Sequence, residues 1–402
     1  MSSSVTILGA GPAGMTAALF AARAGHKVQL IDRNEKVGRK LLVTGAGRAN
    51  LTNRNMDAGH YPAVDPSWMQ TVINLFGHSD LIGFFKSIGI LTFATPDGWC
   101  YPLSESAQSV VDSFQNALHL AGVKLLLGQH ITAIRKSNGG FLLTSADKVD
   151  LPAEHLIVAA GGKASPALGS TGDLFSSLRE FGHTINPIRP ALAPLTADMK
   201  TWQKLRGLRL DARASLYEND ILLAETTGNL IFTEWGMNGP AVMDLSHLVS
   251  ARPGTKLELH LNPLFDREEE LRILLHDFIH TPTPLSTLLS AVIPPKLSAV
   301  ILPLANLPAN VTLDRLNDEQ VEKVLRLLKA MRFRITGVRG FEYCQVSTGG
   351  VPTTEVNPST MQSLQVPGLS LAGETIDVIG PCGGYNLQFA FSSGALAGKN
   401  LK

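Results

Sequence analysis

Gly9-Ala10-Gly11-Pro12-Ala13-Gly14 carries glycine at its first, third and sixth positions. The first glycine permits a sharp turn, the second lets a phosphate approach the backbone, and the third lets a helix pack on the preceding strand. The flanks fit that reading. Val5–Leu8 is a short apolar run suited to a strand buried on both faces, and Met15–Ala24 is small and apolar, with Gly25 as a helix stop. A helix opening at such a turn offers unpaired N–H groups and a partial positive charge, which suit a pyrophosphate. A second strand, Lys27–Ile31, ends at Asp32, 18 positions after Gly14, where an acid accepts hydrogen bonds from an adenosine ribose. The spacing predicts a dinucleotide site without separating FAD from NAD.

A second constellation lies near the carboxyl terminus. Leu369–Ala372 reads as a buried strand leading into Gly373 and Glu374, and Gly380-Pro381-Cys382-Gly383-Gly384-Tyr385-Asn386 opens a small-residue helix over Tyr385–Lys399. This is a second glycine-preceded helix start, where negative charge at N1 and O2 of a reduced flavin would be stabilised. Between the two ends, 37–55 reads as a long functional loop. Arg33, Lys36, Arg39, Lys40, Arg48 and Arg54 gather cationic charge there, suited to phosphates or an anionic substrate.

Other groupings point to packing. Cys382 lies two residues before Gly384, but an isolated cysteine is usually a small buried hydrophobe. His276 and His280 are spaced i, i+4 on an expected helix, with no third ligand and no glutamate after the first, so a surface or packing role is expected and no metal. Ser392-Ser393-Gly394 falls inside the last helix and is no nucleophile elbow.

The elements that must position these residues follow from the chain's patterning. It has 402 residues, 44% hydrophobic and 17% charged, enough apolar material for a large core in two or three domains. Val5–Ala22 holds no charge, but Gly9, Gly11, Pro12 and Gly14 break it, so neither a signal peptide nor a membrane span is expected. Helices are expected near Trp68–Phe76, Ser79–Ile88 and Ser106–Ala121, and strands at Val123–Leu127, Ile131–Arg135, Phe141–Ser145 and Leu156–Ala160. From about Ala191 to Pro263 the pattern is mostly β. From Asp266 to about Arg332 it is helical, with Asp266/Glu269 and Asn317/Gln320 as capping boxes. Phe333–Gly349 returns to strand character. The fold class is therefore α/β, with β/α units at both ends flanking a β-rich segment that encloses a helical one. The net charge of +1 gives no general footprint for nucleic acid or anionic lipid. Three separated cysteines support neither a disulfide framework nor a zinc site and suit a reducing cytosol.

The sequence resembles the aminoacetone-oxidase-like family of FAD-dependent oxidoreductases, which includes a bile-acid-pathway flavoprotein. The matching segments run in family order over nearly the whole chain: GAGPAGMTAA, GRKLLVTGAGRANLTN, LIVAAGG, FTEWGMNGPAVMDLS, STGGVPTTEVNPSTM and LAGETIDVIGPCGGYNLQFAFSSGALAG. The resemblance implies a discontinuous Rossmann-like FAD-binding domain (1–190 and 343–402). It also implies an inserted β-barrel-like domain (191–265 and 333–342) that carries a small helical domain (266–332). Carried over by motif, Gly9, Gly11, Ala13, Gly14, Asp32 and Arg33 hold the ADP half. Lys40, Gly45, Gly47, Arg48 and Asn50 line the phosphate and flavin side. Ala160 and Gly161 lie along the cofactor, and Gly373, Glu374, Asp377, Gly384, Tyr385 and Asn386 hold ribitol and flavin. Three departures bear on the substrate. Ala49 stands where family members often carry cysteine, Glu234 where they carry histidine, and Trp99-Cys100-Tyr101-Pro102 replaces a more apolar spelling.

The expected function is a cytoplasmic FAD-dependent oxidoreductase acting on a small organic substrate by hydride transfer to or from flavin N5. That substrate would approach between the FAD-binding and β-rich domains, with Tyr385 and Glu234 as acid–base candidates. The alternatives are an FAD-binding redox sensor or electron-transfer protein, and nucleic-acid modification, which the charge balance disfavours. NAD(P)H as electron donor has no second fingerprint in the chain.

Overall fold

The computed structural model describes residues 4–62 and 64–401. The chain divides into two compact units, 1–190 with 341–402, and 191–340.

The first unit is built on a five-stranded parallel sheet. Its strands are Ser4–Leu8 (β1), Lys27–Asp32 (β2), Lys124–Leu127 (β3), His155–Val158 (β4) and Leu369–Leu371 (β5). Their spatial order is β5-β4-β1-β2-β3. Val5, Ile7, Leu30, Ile157 and Leu371 are fully buried, as continuous apolar strands covered on both faces should be. The chain leaves β1 toward β2 and β3 on one side, while β4 and β5 fill the other. The strand order therefore reverses between β1 and β4, which opens the ligand crevice of this fold at their carboxyl ends.

Two helices line that crevice. Helix α1, Pro12–Arg23, starts with proline in its first turn and Gly11 at the cap, and no side chain caps it. Helix α2, Tyr385–Lys399, has the bounds expected from sequence and starts at Gly384 in the left-handed region (φ 97°), again without a side-chain cap. The helices touch backbone to backbone. A Cβ at Gly394 would lie 2.2 Å from the Ala13 carbonyl oxygen, and one at Gly398 would lie 2.4 Å from that of Ala17. Residue 394 beside 13 and 398 beside 17 means that the two helices run parallel. Gly394 lies nine positions after Tyr385 and Ala13 one after Pro12, so the start of α2 projects about 12 Å beyond that of α1 at 1.5 Å per residue.

Behind β5, His183 staples the unit. Its side chain is fully buried, with Nδ1 2.7 Å from Glu355 Oε2 and Nε2 2.9 Å from Ser363 Oγ. The Ser–His–Glu alignment is structural, because Ser363 Oγ also accepts from the Gln365 and Val366 backbone N–H groups. Burial pushes the Glu355 carboxyl up, but hydrogen bonds from Thr184 and His183 outweigh it and hold the group below the usual carboxylate range.

The second unit is a closed six-stranded barrel. Its spatial order is Leu195–Ala197, Gly236–Asn238, Ile221–Phe232, Arg209–Glu218, Leu257–Asn262 and Met331–Val338, the last closing on the first. Asn219 and Asp220, both with φ > 0, form the two-residue turn of its longest hairpin. Four helices, Glu268–Asp277, Leu285–Leu289, Pro295–Leu304 and Asp318–Lys329, are inserted before the last strand. Their Leu271, Leu297 and Leu325 belong to the same apolar cluster as Leu259 and Phe333 of the barrel.

The Asn317–Gln320 capping box forms in both directions, at 2.9 and 3.1 Å. The expected Asp266–Glu269 box does not form. That helix begins at Glu268 with Arg267 at the cap, and Glu268, Glu269 and Glu270 supply acidic charge to its first turn instead. It ends at Asp277, so His276 is an exposed residue of its last turn and His280 lies beyond it. Among the described residues no group of side chains could hold a metal, and no helix is long and apolar enough to cross a membrane.

Two outcomes follow. Gly→Ala inside a helix normally stabilises by about 1 kcal/mol. Gly394→Ala should instead destabilise by roughly 1–3 kcal/mol through overpacking, measured by urea denaturation. Glu355→Gln should lower Tm at pH 7. The depressed pKa of Glu355 means its contribution exists above the unfolded value and is lost as pH falls through the folded one, so the Tm gap should close in acid below the usual carboxylate range.

Candidate functional site

The three glycines of the first turn have three different surroundings. Gly9 sits at φ 101°, and a Cβ there would lie 2.3 Å from the Ala159 carbonyl oxygen. A Cβ at Gly14 would lie 1.7 Å from the Gly9 carbonyl oxygen. Gly11 faces nothing within 4 Å. The first and third glycines therefore close the turn onto β4 and onto itself, while the second leaves open space beside the free N–H groups of Ala13 and Gly14. That space is the cradle a diphosphate requires.

Asp32 is fixed beside it. Its two carboxylate oxygens accept from the backbone N–H groups of Ala10 (2.6 Å) and Asn34 (2.7 Å), which ties the end of β2 to the glycine turn. A cavity continues from Gly9 and Asp32 along Val158, Ala160 and Gly161. Thr375, in its wall, has a buried Oγ1 with no hydrogen-bond partner. An open glycine, a fixed acid and an orphaned hydroxyl fit the ADP half of FAD.

At the cavity mouth, Arg33 Nη1 donates to Asp173 Oδ2 at 2.9 Å, and His130 Nε2 lies 2.9 Å from the same oxygen. Burial pushes the Asp173 carboxyl up, but Thr171, His130 and Arg33 together hold it below the usual range. The sequence singled out Arg33 but not Thr171, His130, Asp173 or Thr375. These come from separate loops, and no local spacing marks them.

The loop after β5 meets the loop over 37–55, the second loop of the site, at Glu374. One oxygen accepts from Lys40 Nζ at 2.8 Å, and the other accepts from the Ser347 backbone N–H and hydroxyl, each at 2.8 Å. A Cβ at the neighbouring Gly373 would lie 3.0 Å from the Ala13 Cβ, which places this cluster at the start of α1. The second loop is wound tightly. Gly45, Ala46, Gly47 and Ala49 all have φ between 56° and 86°, an arrangement of stored backbone strain common at binding sites. The Arg48 guanidinium lies 4.4 Å over the Tyr101 ring and pairs with Glu105 at 3.0 Å. Asn50 is buried, with its amide placed to donate to the Thr52 and Cys100 carbonyls.

At the start of α2, a Cβ on Gly384 would lie 2.4 Å from the Thr52 carbonyl oxygen, and Asn53 Nδ2 donates to the Gly383 carbonyl at 3.0 Å. The second loop and the second helix start therefore form one surface. Tyr385 is buried, stacked on His60 at 4.5 Å. Two expected residues are engaged elsewhere within this unit. Asp377 accepts from the Gly349 backbone N–H (2.7 Å) and from Asn186 (2.8 Å). Asn386 closes its own loop on Gly380, accepting from its N–H at 2.9 Å and donating to its carbonyl at 2.7 Å. Glu234 lies in the barrel unit, largely exposed and paired with Arg206 at 3.1 Å.

Crevice, cradle and paired helix starts define a Rossmann-type flavoprotein. The profile of the HI0933-like protein Rossmann domain matches residues 3–400, and the chain belongs to that family. It is 35% identical over 403 residues to the 3-dehydro-bile acid delta(4,6)-reductase of Clostridium scindens, covering 98% of each chain. It is 32% identical over 397 residues to the ribosomal RNA dihydrouridine synthase of Escherichia coli, covering 98% of this chain and 97% of the other. Its fold is similar to that of 3-ketosteroid delta1-dehydrogenase from Sterolibacterium denitrificans, with TM-score 0.54, 11% identity and 99% of each chain covered. The protein is an FAD-dependent oxidoreductase, an enzyme rather than a redox sensor.

Gly11 separates cofactor binding from folding. Gly11→Ala should leave the apoprotein Tm unchanged and weaken FAD binding by roughly tenfold or more, about 1.4 kcal/mol, in a fluorescence titration. Gly14→Ala, with its Cβ driven into the Gly9 carbonyl, should lower the Tm of the apoprotein itself.

Proposed function

We propose that this oxidoreductase reduces a carbon–carbon double bond conjugated to a carbonyl in a small, steroid-like molecule. The observation that carries this reading is the end-to-end similarity to a protein named as a 3-dehydro-bile acid delta(4,6)-reductase. Such a ring system is electron-poor at the carbon furthest along the conjugation from its ketone. Saturating one bond takes a hydride there and a proton at the neighbouring carbon. FAD, once reduced by a two-electron donor such as NAD(P)H, would supply the hydride from N5 and return to its oxidised form.

The chain's own residues do the rest. We assign Gly9, Gly11, Ala13, Gly14, Asp32 and Arg33 to the ADP half, with Ala160 and Gly161 along its length. Lys40, Gly45, Gly47, Arg48, Asn50, Gly373 and Glu374 would surround the middle of the cofactor. The first-turn N–H groups of α2, from Gly384 and Tyr385 onward, would face the end where negative charge collects on reduction. Asp377 and Asn386 support this surface by shaping the loops before α2 rather than by touching the cofactor. Tyr385 is proposed as the proton donor because it stands in the first turn of α2, whereas Glu234 is largely exposed and engaged with Arg206.

A second reading takes ribosomal RNA as substrate, and the similarity to a ribosomal RNA dihydrouridine synthase favours it. The uracil ring also carries a double bond conjugated to a carbonyl, so both relatives support the same class of reduction. The small molecule is preferred here because a net charge of +1, with equal numbers of acidic and basic residues in 191–340, gives no overall positive charge to attract a phosphate backbone.

The test is anaerobic. Dithionite-reduced holoprotein is mixed with a 3-oxo-4,6-diene steroid acid or with unmodified ribosomal RNA. Reoxidation of the flavin by the steroid, with product two mass units heavier, is expected. Reoxidation by the RNA alone, with dihydrouridine formed, would replace the small-molecule reading. Tyr385→Phe should keep its FAD and lose on the order of a hundredfold in product formation, the range of a lost general acid. Glu234→Gln should stay within about twofold, as an exposed ion pair contributes little.

A further inference from the structure

We infer that the segment Ser165–Asp173 is a strap over the ADP half of the crevice, and that Asp173 latches it to Arg33 and His130 to set the rate of FAD release. The inference rests on FAD occupying the cavity beside Gly9 and Asp32.

The segment has the build of a hinged strap. It follows Gly161 and Gly162 at the end of β4 and contains one short turn, Pro166–Leu168. Ser165, Gly169 and Gly172 have φ of 57°, 106° and 77°, so three left-handed residues bracket and interrupt it. Ser165 is the informative one, because a non-glycine residue adopts this conformation only when its surroundings impose it. Its N–H is held by the Phe341 carbonyl at 2.8 Å, which anchors the start of the strap. Gly169, Thr171, Gly172 and Asp173 then line the cavity together with Asp32 and His130.

The far end is held by charge. Arg33 follows β2 directly, His130 lies between β3 and the next strand, and Asp173 ends the strap. Arg33 Nη1 donates to Asp173 Oδ2 at 2.9 Å, His130 Nε2 is 2.9 Å from the same oxygen, and Arg33 Nη2 is 3.4 Å from His130 Nδ1. A neutral imidazole protonated at Nε2 satisfies both neighbours, donating to the carboxylate and accepting from the guanidinium. Further ties run from Asn34 Nδ2 to the Leu168 carbonyl at 3.2 Å, from Arg33 Nη1 to Thr171 Oγ1 at 2.5 Å, and from Ser165 Oγ to the Cys344 carbonyl at 3.2 Å.

The cavity floor is apolar, with Leu8, Ile31 and Val158 all at most 2% exposed. The side chains of Arg33, His130 and Asp173 are instead 29%, 33% and 37% exposed, so they stand at the mouth. A ligand lying along Asp32 leaves past them. Freeing the strap breaks the contacts to Asp173 together, so their joint loss appears in the dissociation rate rather than in the stability of the fold.

The test uses holoprotein of the wild type, Asp173→Asn, Arg33→Gln and the double variant. FAD dissociation is followed by recovery of flavin fluorescence on dilution, and apoprotein Tm is measured in parallel. Each single variant should release FAD about tenfold faster, the double no faster than the quicker single, with apoprotein Tm unchanged. Release within twofold of wild type, additive effects, or faster release matched by a fall in apoprotein Tm would each overturn the latch. Wild-type protein that takes up no FAD would instead overturn the cofactor reading beneath it.

Discussion

The backbone contact between α1 and α2 is the constraint on which the cofactor site depends. Gly394 and Gly398 allow α2 to lie directly on Ala13 and Ala17, in parallel and in a fixed register. Both helices therefore point uncapped N-termini the same way, one at the glycine turn and the other about 12 Å further on. Free N–H groups at one helix start suit a diphosphate, and those at the other suit the charge that a flavin gains on reduction. Any bulkier pair at 394 and 398 would separate the helices and break the spacing between these two fields.

Around that pair the structure is a set of tethers. Asp32 binds the glycine turn to the end of β2, Glu374 gathers Lys40 and Ser347 at the start of α1, and Asn53 holds Gly383 at the start of α2. The Lys40–Glu374 and Asn53–Gly383 contacts link residues 334 and 330 positions apart, which is why a chain with a long insertion can still assemble one crevice. The barrel unit keeps its own core and its own neutral charge balance.

Sequence alone exposed those features whose physics is local. The glycine turn reads directly because Gly9 and Gly14 answer contacts within a few residues or across one strand, and Gly11 answers the space left open beside them. The Asn317–Gln320 cap and the limits of Tyr385–Lys399 read directly for the same reason. The Asp266–Glu269 cap misled, because three consecutive glutamates already serve that helix start. Asp377 and Asn386 are polar and close to the motif. The Asp377 hydrogen bonds to Gly349 and Asn186 join segments that no local spacing pairs, and Asn386 bonds to Gly380 across its own loop. The cluster of Arg33, His130, Thr171 and Asp173 was legible only at Arg33, because its members converge from three loops and share no spacing. The left-handed Ala46 and Ala49 were equally hidden, since alanine does not advertise positive φ.

A crystal structure of the FAD-bound protein tests the central claim most directly. The diphosphate should lie over Gly11 against the first turn of α1, and the pyrimidine edge of the isoalloxazine against the first turn of α2. A flavin ring bound with its pyrimidine edge away from Gly384 and Tyr385, or a diphosphate away from Gly11, would contradict it.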